Sequence, residues 1–252
     1  MIHQKGTKKR RFLVIARVGD ESLHRQWLYP NTFRNFDLYL SYYGSDSGRY
    51  KNDCEYYSET KGPRWPVYKE IVEQLGERLR EYDAVWFPAD DISTDAYNIN
   101  LMFHIFDQLK LWLAQPALTK DSFKSWNITI QSLDHIVRYT HFVEIMAPLF
   151  SPAALQICCP SFDANYSGWG IDFVWPKLLN YPDNKIAMID ATPVRHTRPV
   201  GKGNLVQNQS AESADPSRKE QFKSVLEQHQ ISFQSQYPNG IKAISGIKFC
   251  LS

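Results

Sequence analysis

The chain has 252 residues, a length that suits one hydrophobic core with a short extension and leaves too little for two full domains. With 43% hydrophobic and 22% charged residues it can bury enough apolar surface to fold, which excludes disorder along most of its length. A formal charge of +2 supplies no concentrated basic field, so nucleic acid is not an expected partner, and no apolar run reaches the roughly 18 residues of a membrane helix.

The basic run Lys8-Lys9-Arg10-Arg11 reads as a solvated lead-in to a buried strand over 11–18, which Gly19-Asp20 ends. A second strand is expected over 36–43, followed by a polar loop from Gly44 and a helix over 65–80 with its apolar stripe at Val67, Ile71, Val72, Leu75 and Leu79. The next strand, 84–87, runs into Pro88-Ala89-Asp90-Asp91, after which Ser93 or Thr94 caps a long helix to about Trp112. Residues 113–118 read as an edge strand because they contain Pro116, and 136–146 as a longer strand with Glu144 near its middle. Helices are expected over 151–158 and 169–179, then a strand over 186–189 followed by Asp190 and a loop over 193–202. Residues 201–214 read as a linker, Asp215-Pro216 as the start of a helix, and 231–251 as a hairpin around Pro238-Asn239-Gly240. The division expected is 1–200 for the main domain and 201–252 for a linker with a helix-hairpin appendage.

The acidic pair Asp90-Asp91 falls at the carboxyl end of a strand, where open α/β sheets bind ligands. Hard oxygen ligands there suit Mn or Mg while leaving room for water and phosphate. An acidic pair at a helix start is also favoured by the helix dipole alone. Asp172, on the opening turn of its helix, is a candidate general base if it faces the same cleft; taken alone it reads as a helix-start acid. The segment Val194-Arg195-His196-Thr197-Arg198-Pro199 offers an imidazole for a metal and guanidinium groups for phosphate. Trp65, Trp86, Trp112 and Trp169 suit either stacking on sugar rings or the core. The cysteines Cys54, Cys158, Cys159 and Cys250 have no zinc-ligand spacing and read as reduced thiols of a cytoplasmic protein.

Six segments in order carry a resemblance: 36–44 (FDLYLSYYG), 61–65 (KGPRW), 88–92 (PADDI), 115–118 (QPAL), 142–148 (FVEIMAP) and 168–172 (GWGID). Together they resemble domain-of-unknown-function family 707, over about 12–200. That family looks like a branch of the GT-A glycosyltransferases. The resemblance implies a GT-A-like, Rossmann-type mixed central sheet flanked by helices. It also implies a nucleotide-sugar donor, an acidic motif at Asp90 with Asp91, a base at Asp172 and a metal-binding His196. By the same resemblance Arg17 to Asp20 would hold the nucleotide, with Lys61 as a phosphate or base contact; Arg198 is expected, from its own loop, as a phosphate clamp. Ala89 stands where an Asp-Asp-Asp form of the motif has its first acid.

The leading expectation is an inverting, metal-dependent transferase in which Asp91 and His196 hold the cation, Asp90 assists and Asp172 deprotonates a hydroxyl of an unidentified glycan or small-molecule acceptor. A catalytically silent nucleotide-sugar or glycan-binding module is the alternative, and a two-carboxylate glycoside hydrolase using Asp91 and Asp172 a third.

Overall fold

A computed structural model of the chain describes residues 3–4, 9–30, 34–199, 218–237 and 240–249. Its strands are β1 (His3–Gln4), β2 (Phe12–Val18), β3 (Phe36–Tyr42), β4 (Tyr56–Glu59), β5 (Ala84–Trp86), β6 (Ile92–Ser93), β7 (Leu113–Leu118), β8 (His135–Thr140), β9 (Leu149–Phe150), β10 (Ile186–His196) and β11 (Ala243–Lys248). Its helices are α1 (His24–Trp27), α2 (Arg64–Leu75), α3 (Ala96–Gln108), α4 (Pro152–Cys158), α5 (Ile171–Leu178), α6 (Arg218–Gln228) and α7 (Phe233–Gln236).

The strands join in the order β1-β4-β3-β2-β5-β9-β7-β10-β8-β11, with β6 paired to the end of β10. β4, β3, β2, β5, β7, β10 and β11 run one way, and β1, β9 and β8 run against them. Because the pleat alternates, Phe12, Val14, Ala16 and Val18 of β2 pack on one face with Trp27 of α1 and Ile99, Met102, Phe103 and Phe106 of α3. Leu13 and Ile15 pack on the other with Trp65, Tyr68 and Ile71 of α2, Leu155 of α4 and Trp175 of α5. Burial on both faces is why these strands read as unbroken apolar runs rather than alternating ones.

Several expected elements differ. The helix after Asp91 starts later, because Ile92 and Ser93 pair as strand β6 with His196 and Arg195 of β10. Its cap is Asp95, whose carboxylate accepts the Asn98 N–H at 2.8 Å, and it ends at Gln108 rather than near Trp112. β7 is internal, between β9 and β10. Pro116 is tolerated there because β9 pairs only with Leu113 and Ala114, so the ladder on that side has ended before the proline. The strand expected over 136–146 stops at Thr140, which leaves Glu144 in an irregular segment leading to β9. β10 continues past Asp190 to His196, through a register shift between Ile189 and Val194 where it pairs with β7. The loop expected from 193 is therefore strand as far as His196.

The expected linker at 201–214 and the Asp215-Pro216 cap lie outside the described residues. α6 is helical as expected, but Phe233–Gln236 is a helix, and β11 pairs antiparallel with β8 instead of folding back as a hairpin. Phe222, Phe233 and Tyr237 close around Phe173 of α5, with ring centroids 5.5, 5.7 and 5.6 Å away. Among the described residues no helix is long and apolar enough to cross a membrane, and Cys54, Cys158 and Cys159 are buried.

Gly168 fixes the approach to α5. Its φ is +76°, and a Cβ there would lie 2.2 Å from Cδ1 of the buried Trp65 ring. Gly168→Ala combines left-handed strain with that clash, so stability should fall by about 2 kcal/mol or more in urea denaturation. An unchanged midpoint contradicts this account of the turn.

Candidate functional site

The site residues gather at the carboxyl ends of the co-directional strands. Gly19 and Asp20 follow β2, Tyr43 and Gly44 follow β3, Lys61 and Arg64 follow β4, Asp90 and Asp91 follow β5, the turn 119–123 follows β7, and His196 ends β10. A parallel arrangement brings all of these ends to one edge, although they are far apart along the chain.

Asp90 and Asp91 are adjacent in sequence but point to different partners. Asp90 Oδ2 accepts the Gly19 N–H at 2.8 Å and the Tyr43 hydroxyl at 3.0 Å, and its Oδ1 lies 3.4 Å from Arg198 Nη1. Burial and the charge of Asp91 raise its pKa, against the Gly19, Arg198 and Tyr43 contacts that lower it. Asp90 thus ties the β2, β3 and β5 loops to the segment beyond β10.

Asp91 Oδ2 stands 3.2 Å from His196 Nε2. His196 Nδ1 is 2.7 Å from the Phe123 carbonyl, which can only accept, so Nδ1 carries the proton and Nε2 is aimed at Asp91. The pairing of β6 with the end of β10 sets this geometry, and the Thr197 N–H and hydroxyl bond to the Asp91 carbonyl at 3.1 and 2.8 Å. Burial acts against both charges, yet the hydrogen bond between the two prevails: Asp91 is held below the usual carboxylate range and His196 above the usual imidazole range.

Among the described residues no group of three or more His, Cys, Asp or Glu side chains is placed to hold a metal. The Asp91–His196 pair nevertheless fits a shared cation. Metal–ligand bonds of about 2.1 Å separate two neighbouring octahedral ligands by about 3 Å, close to the 3.2 Å seen. The Phe123 carbonyl holds the Nδ1 proton, so Nε2 can coordinate once it gives up the proton it shares with Asp91. Asp90 is directed instead toward Gly19, Tyr43 and Arg198.

The other candidates are placed as follows. Arg17 is buried at the end of β2, donates to Ser41 Oγ at 3.3 Å and the Gly62 carbonyl at 3.0 Å, and lies over the Tyr43 ring. Burial lowers its pKa to about 10. The Asp20 carboxylate accepts the Tyr42 hydroxyl. The Lys61 ammonium is engaged by the Tyr43 and Gly44 carbonyls, so it braces the β3 loop. Asp172 is in the first turn of α5, 5% exposed, and burial followed by the charge of Glu144 pushes its carboxyl well up. No hydrogen bond or ion pair joins it to Asp91 or His196. Of the tryptophans, Trp65 and Trp86 are core, while Trp112 and Trp169 are partly exposed.

Sequence reasoning did not reach Tyr43, the Gly19 N–H, the Phe123 carbonyl or Arg64. Arg64 donates to the Phe87 and Met146 carbonyls at 3.0 and 2.9 Å, and its charge bears on both Asp91 and Glu144. Tyr43 could have been found, since it lies just past the end of the strand neighbouring β2. The backbone partners leave no mark in a sequence.

The family model described as "Protein of unknown function (DUF707)" matches residues 76–243 of the chain, well over half of it. No curated protein matches. Among solved structures the chain is similar to S. aureus TarS, at a TM-score of 0.52 and 11% identity over 75% of this chain. It is also similar to TarS 1–349 in complex with UDP-GlcNAc, at a TM-score of 0.52 and 11% identity over 91% of this chain and 74% of that one. The chain spans 37% of the length of the longer TarS chain. At this identity the likeness is one of fold alone, a GT-A-like mixed sheet flanked by helices. By its family match, the chain belongs to DUF707, a family of proteins of unknown function.

Proposed function

We propose that this protein is an inverting, metal-dependent glycosyltransferase that moves a sugar from a nucleotide-diphosphate donor to a hydroxyl acceptor. The observation that carries the reading is the Asp91–His196 pair, 3.2 Å apart at the carboxyl edge of a GT-A-like sheet. The TarS complex supports a nucleotide-sugar donor by likeness of fold alone, and makes UDP-sugars the first to test.

In this reading Asp91 and His196 hold Mn or Mg, and that cation supplies charge neutralisation for the diphosphate leaving group. Asp90 positions the donor through the loops it ties together, and Arg198, 3.4 Å from Asp90, stands beside it as a phosphate contact. Arg17 and Asp20 contribute the end of β2 to the nucleotide pocket. Lys61 shapes that pocket through its carbonyl contacts. Asp172 takes the proton from the acceptor hydroxyl as the hydroxyl oxygen bonds to the anomeric carbon and the bond to the diphosphate oxygen breaks. A silent binding module is the second reading, favoured by Ala89 in the acidic motif and by the burial of Asp172. It predicts nucleotide-sugar binding with no release of nucleotide.

Calorimetry with nucleoside diphosphates should show binding that requires Mn or Mg and is lost, by at least tenfold in affinity, in Asp91→Asn. Nε2 of His196 can coordinate only after giving up its proton, so affinity should weaken as pH falls through the raised pKa of His196. Metal-independent binding, or affinity that improves as pH falls, contradicts the assignment. Asp172→Asn should keep donor binding while reducing turnover by at least about a hundredfold. Turnover at the wild-type rate removes Asp172 from the mechanism.

A further inference from the structure

His24 has no part in the chemistry assigned above, yet it is fully buried in α1, with its ring edge-on to Tyr50 and the centroids 4.5 Å apart. Its Nε2 stands 3.2 Å from Asp53 Oδ2, and its Nδ1 stands 2.8 Å from Ser22 Oγ. Asp53 Oδ2 also accepts the Arg25 Nε–H at 2.8 Å. Burial works against the charge of Asp53, but Arg25 and His24 hold its carboxyl below the usual range, so it only accepts and Nε2 carries the proton. Burial lowers the pKa of His24 despite Asp53, which leaves Nδ1 with a bare lone pair at neutral pH. The Ser22 hydroxyl therefore donates to Nδ1. Ser22 is half-buried, and its oxygen accepts the His24 N–H at 3.3 Å, so one lone pair stays unused. A serine ahead of a helical turn makes that backbone bond by itself. It does not require a buried imidazole oriented by a carboxylate, and the order carboxylate, imidazole, hydroxyl is that of an activated nucleophile.

The surroundings of Ser22 select the electrophile. The Glu21 carbonyl accepts Arg198 Nη2, the Leu23 N–H donates to the Asp90 carbonyl at 2.7 Å, and the Gly19 N–H donates to Asp90 Oδ2 at 2.8 Å. Ser22 thus belongs to the loop that Asp90 and Arg198 tie together. Acyl transfer needs N–H donors for an oxyanion. Here the Ser22 N–H is bonded to the Gly19 carbonyl at 3.2 Å and the Leu23 N–H to Asp90, so neither is available. Attack on an anomeric carbon needs neither, because the charge passes to the departing diphosphate. We propose that Ser22, His24 and Asp53 form a relay that makes Ser22 an internal acceptor, so that the protein glycosylates its own Ser22. The transfer rests on the transferase reading above; the relay does not. Ser22 Oγ forms the bond to the anomeric carbon with its own electron pair, His24 Nδ1 takes the hydroxyl proton, and the diphosphate leaves with the electrons of the broken bond. Asp53 acts here as a positioning residue, holding the tautomer and offsetting the charge that His24 gains.

Nitrogen NMR of the whole chain at neutral pH tests the relay. It should show His24 neutral, with Nε2 protonated and Nδ1 bare, and the Nδ1 signal should shift in Ser22→Ala. A charged His24, or the opposite tautomer, overturns the relay. Mass spectrometry after incubation with Mn and UDP-GlcNAc, UDP-glucose or UDP-galactose tests the transfer, and should find a sugar on the peptide that carries Ser22. Ser22→Ala should abolish that adduct, and His24→Gln should slow its formation by at least about a hundredfold, with circular dichroism checking the fold of each variant. Asp53→Asn should slow it too and shift the His24 tautomer in the NMR spectrum, which a merely structural role does not do. If His24→Gln fails to fold, the wild-type tautomer and Ser22→Ala still decide. Nucleotide release with Ser22 unmodified, or an adduct that persists in Ser22→Ala, overturns the internal acceptor. Absence of both binding and turnover with all of these donors counts against the transferase reading and removes the transfer with it, while the NMR result still decides the relay.

Discussion

The site depends on a two-residue pairing. Ile92 and Ser93 lie directly after the acidic pair, and they join His196 and Arg195 at the far end of β10. Without that antiparallel contact Asp91 and His196, separated by more than a hundred residues of chain, have no reason to meet. With it, the imidazole is held on one side by the Phe123 carbonyl and faced on the other by the Asp91 carboxylate. Two buried groups whose charges are each penalised by burial are kept ionised by one another. Removing either leaves an unpaired charge in a buried setting, which is far more costly than losing an exposed ion pair.

The same sheet edge carries a second, separate electrostatic unit. Asp90 is held by a backbone N–H, a tyrosine hydroxyl and a guanidinium, and works as a tie among loops. Glu144 and Asp172 lie deeper, with fewer donors than their oxygens require. Arg64 spans the gap: its charge bears on Asp91 and on Glu144, while its hydrogen bonds pin the end of β5 to the segment before β9. The acidic residues thus divide into one carboxylate paired with a histidine, one tie among loops, and two buried carboxyls that each keep an oxygen without a donor.

Much of the fold was legible because its central strands are buried on both faces, so 11–18, 36–43 and 84–87 read as largely apolar, β-rich runs in the sequence. The placement of Asp90 and Asp91 at a strand end followed directly. Where reading failed, a local signal was overruled by a distant one. Pro116 suggested an edge, but the short β9 leaves the proline free of a ladder inside the sheet. Residues 193–202 read as a loop, but pairing with β6 carries β10 on to His196. Pro238-Asn239-Gly240 suggested a hairpin, but β8 offered an open edge to Ala243–Lys248. Glu144 read as a strand residue because its neighbours are apolar, but it lies past the end of β8 with one oxygen left without a partner, which no sequence pattern records.

The central claim is that a divalent cation and a diphosphate meet between Asp91 and His196. Anomalous diffraction from crystals grown with Mn and a nucleoside diphosphate tests it most directly. The account predicts a manganese peak bridging Asp91 Oδ2 and His196 Nε2, with diphosphate oxygens completing its shell. A peak elsewhere, or nucleotide bound at the sheet edge with these two side chains still paired only to each other, would contradict it.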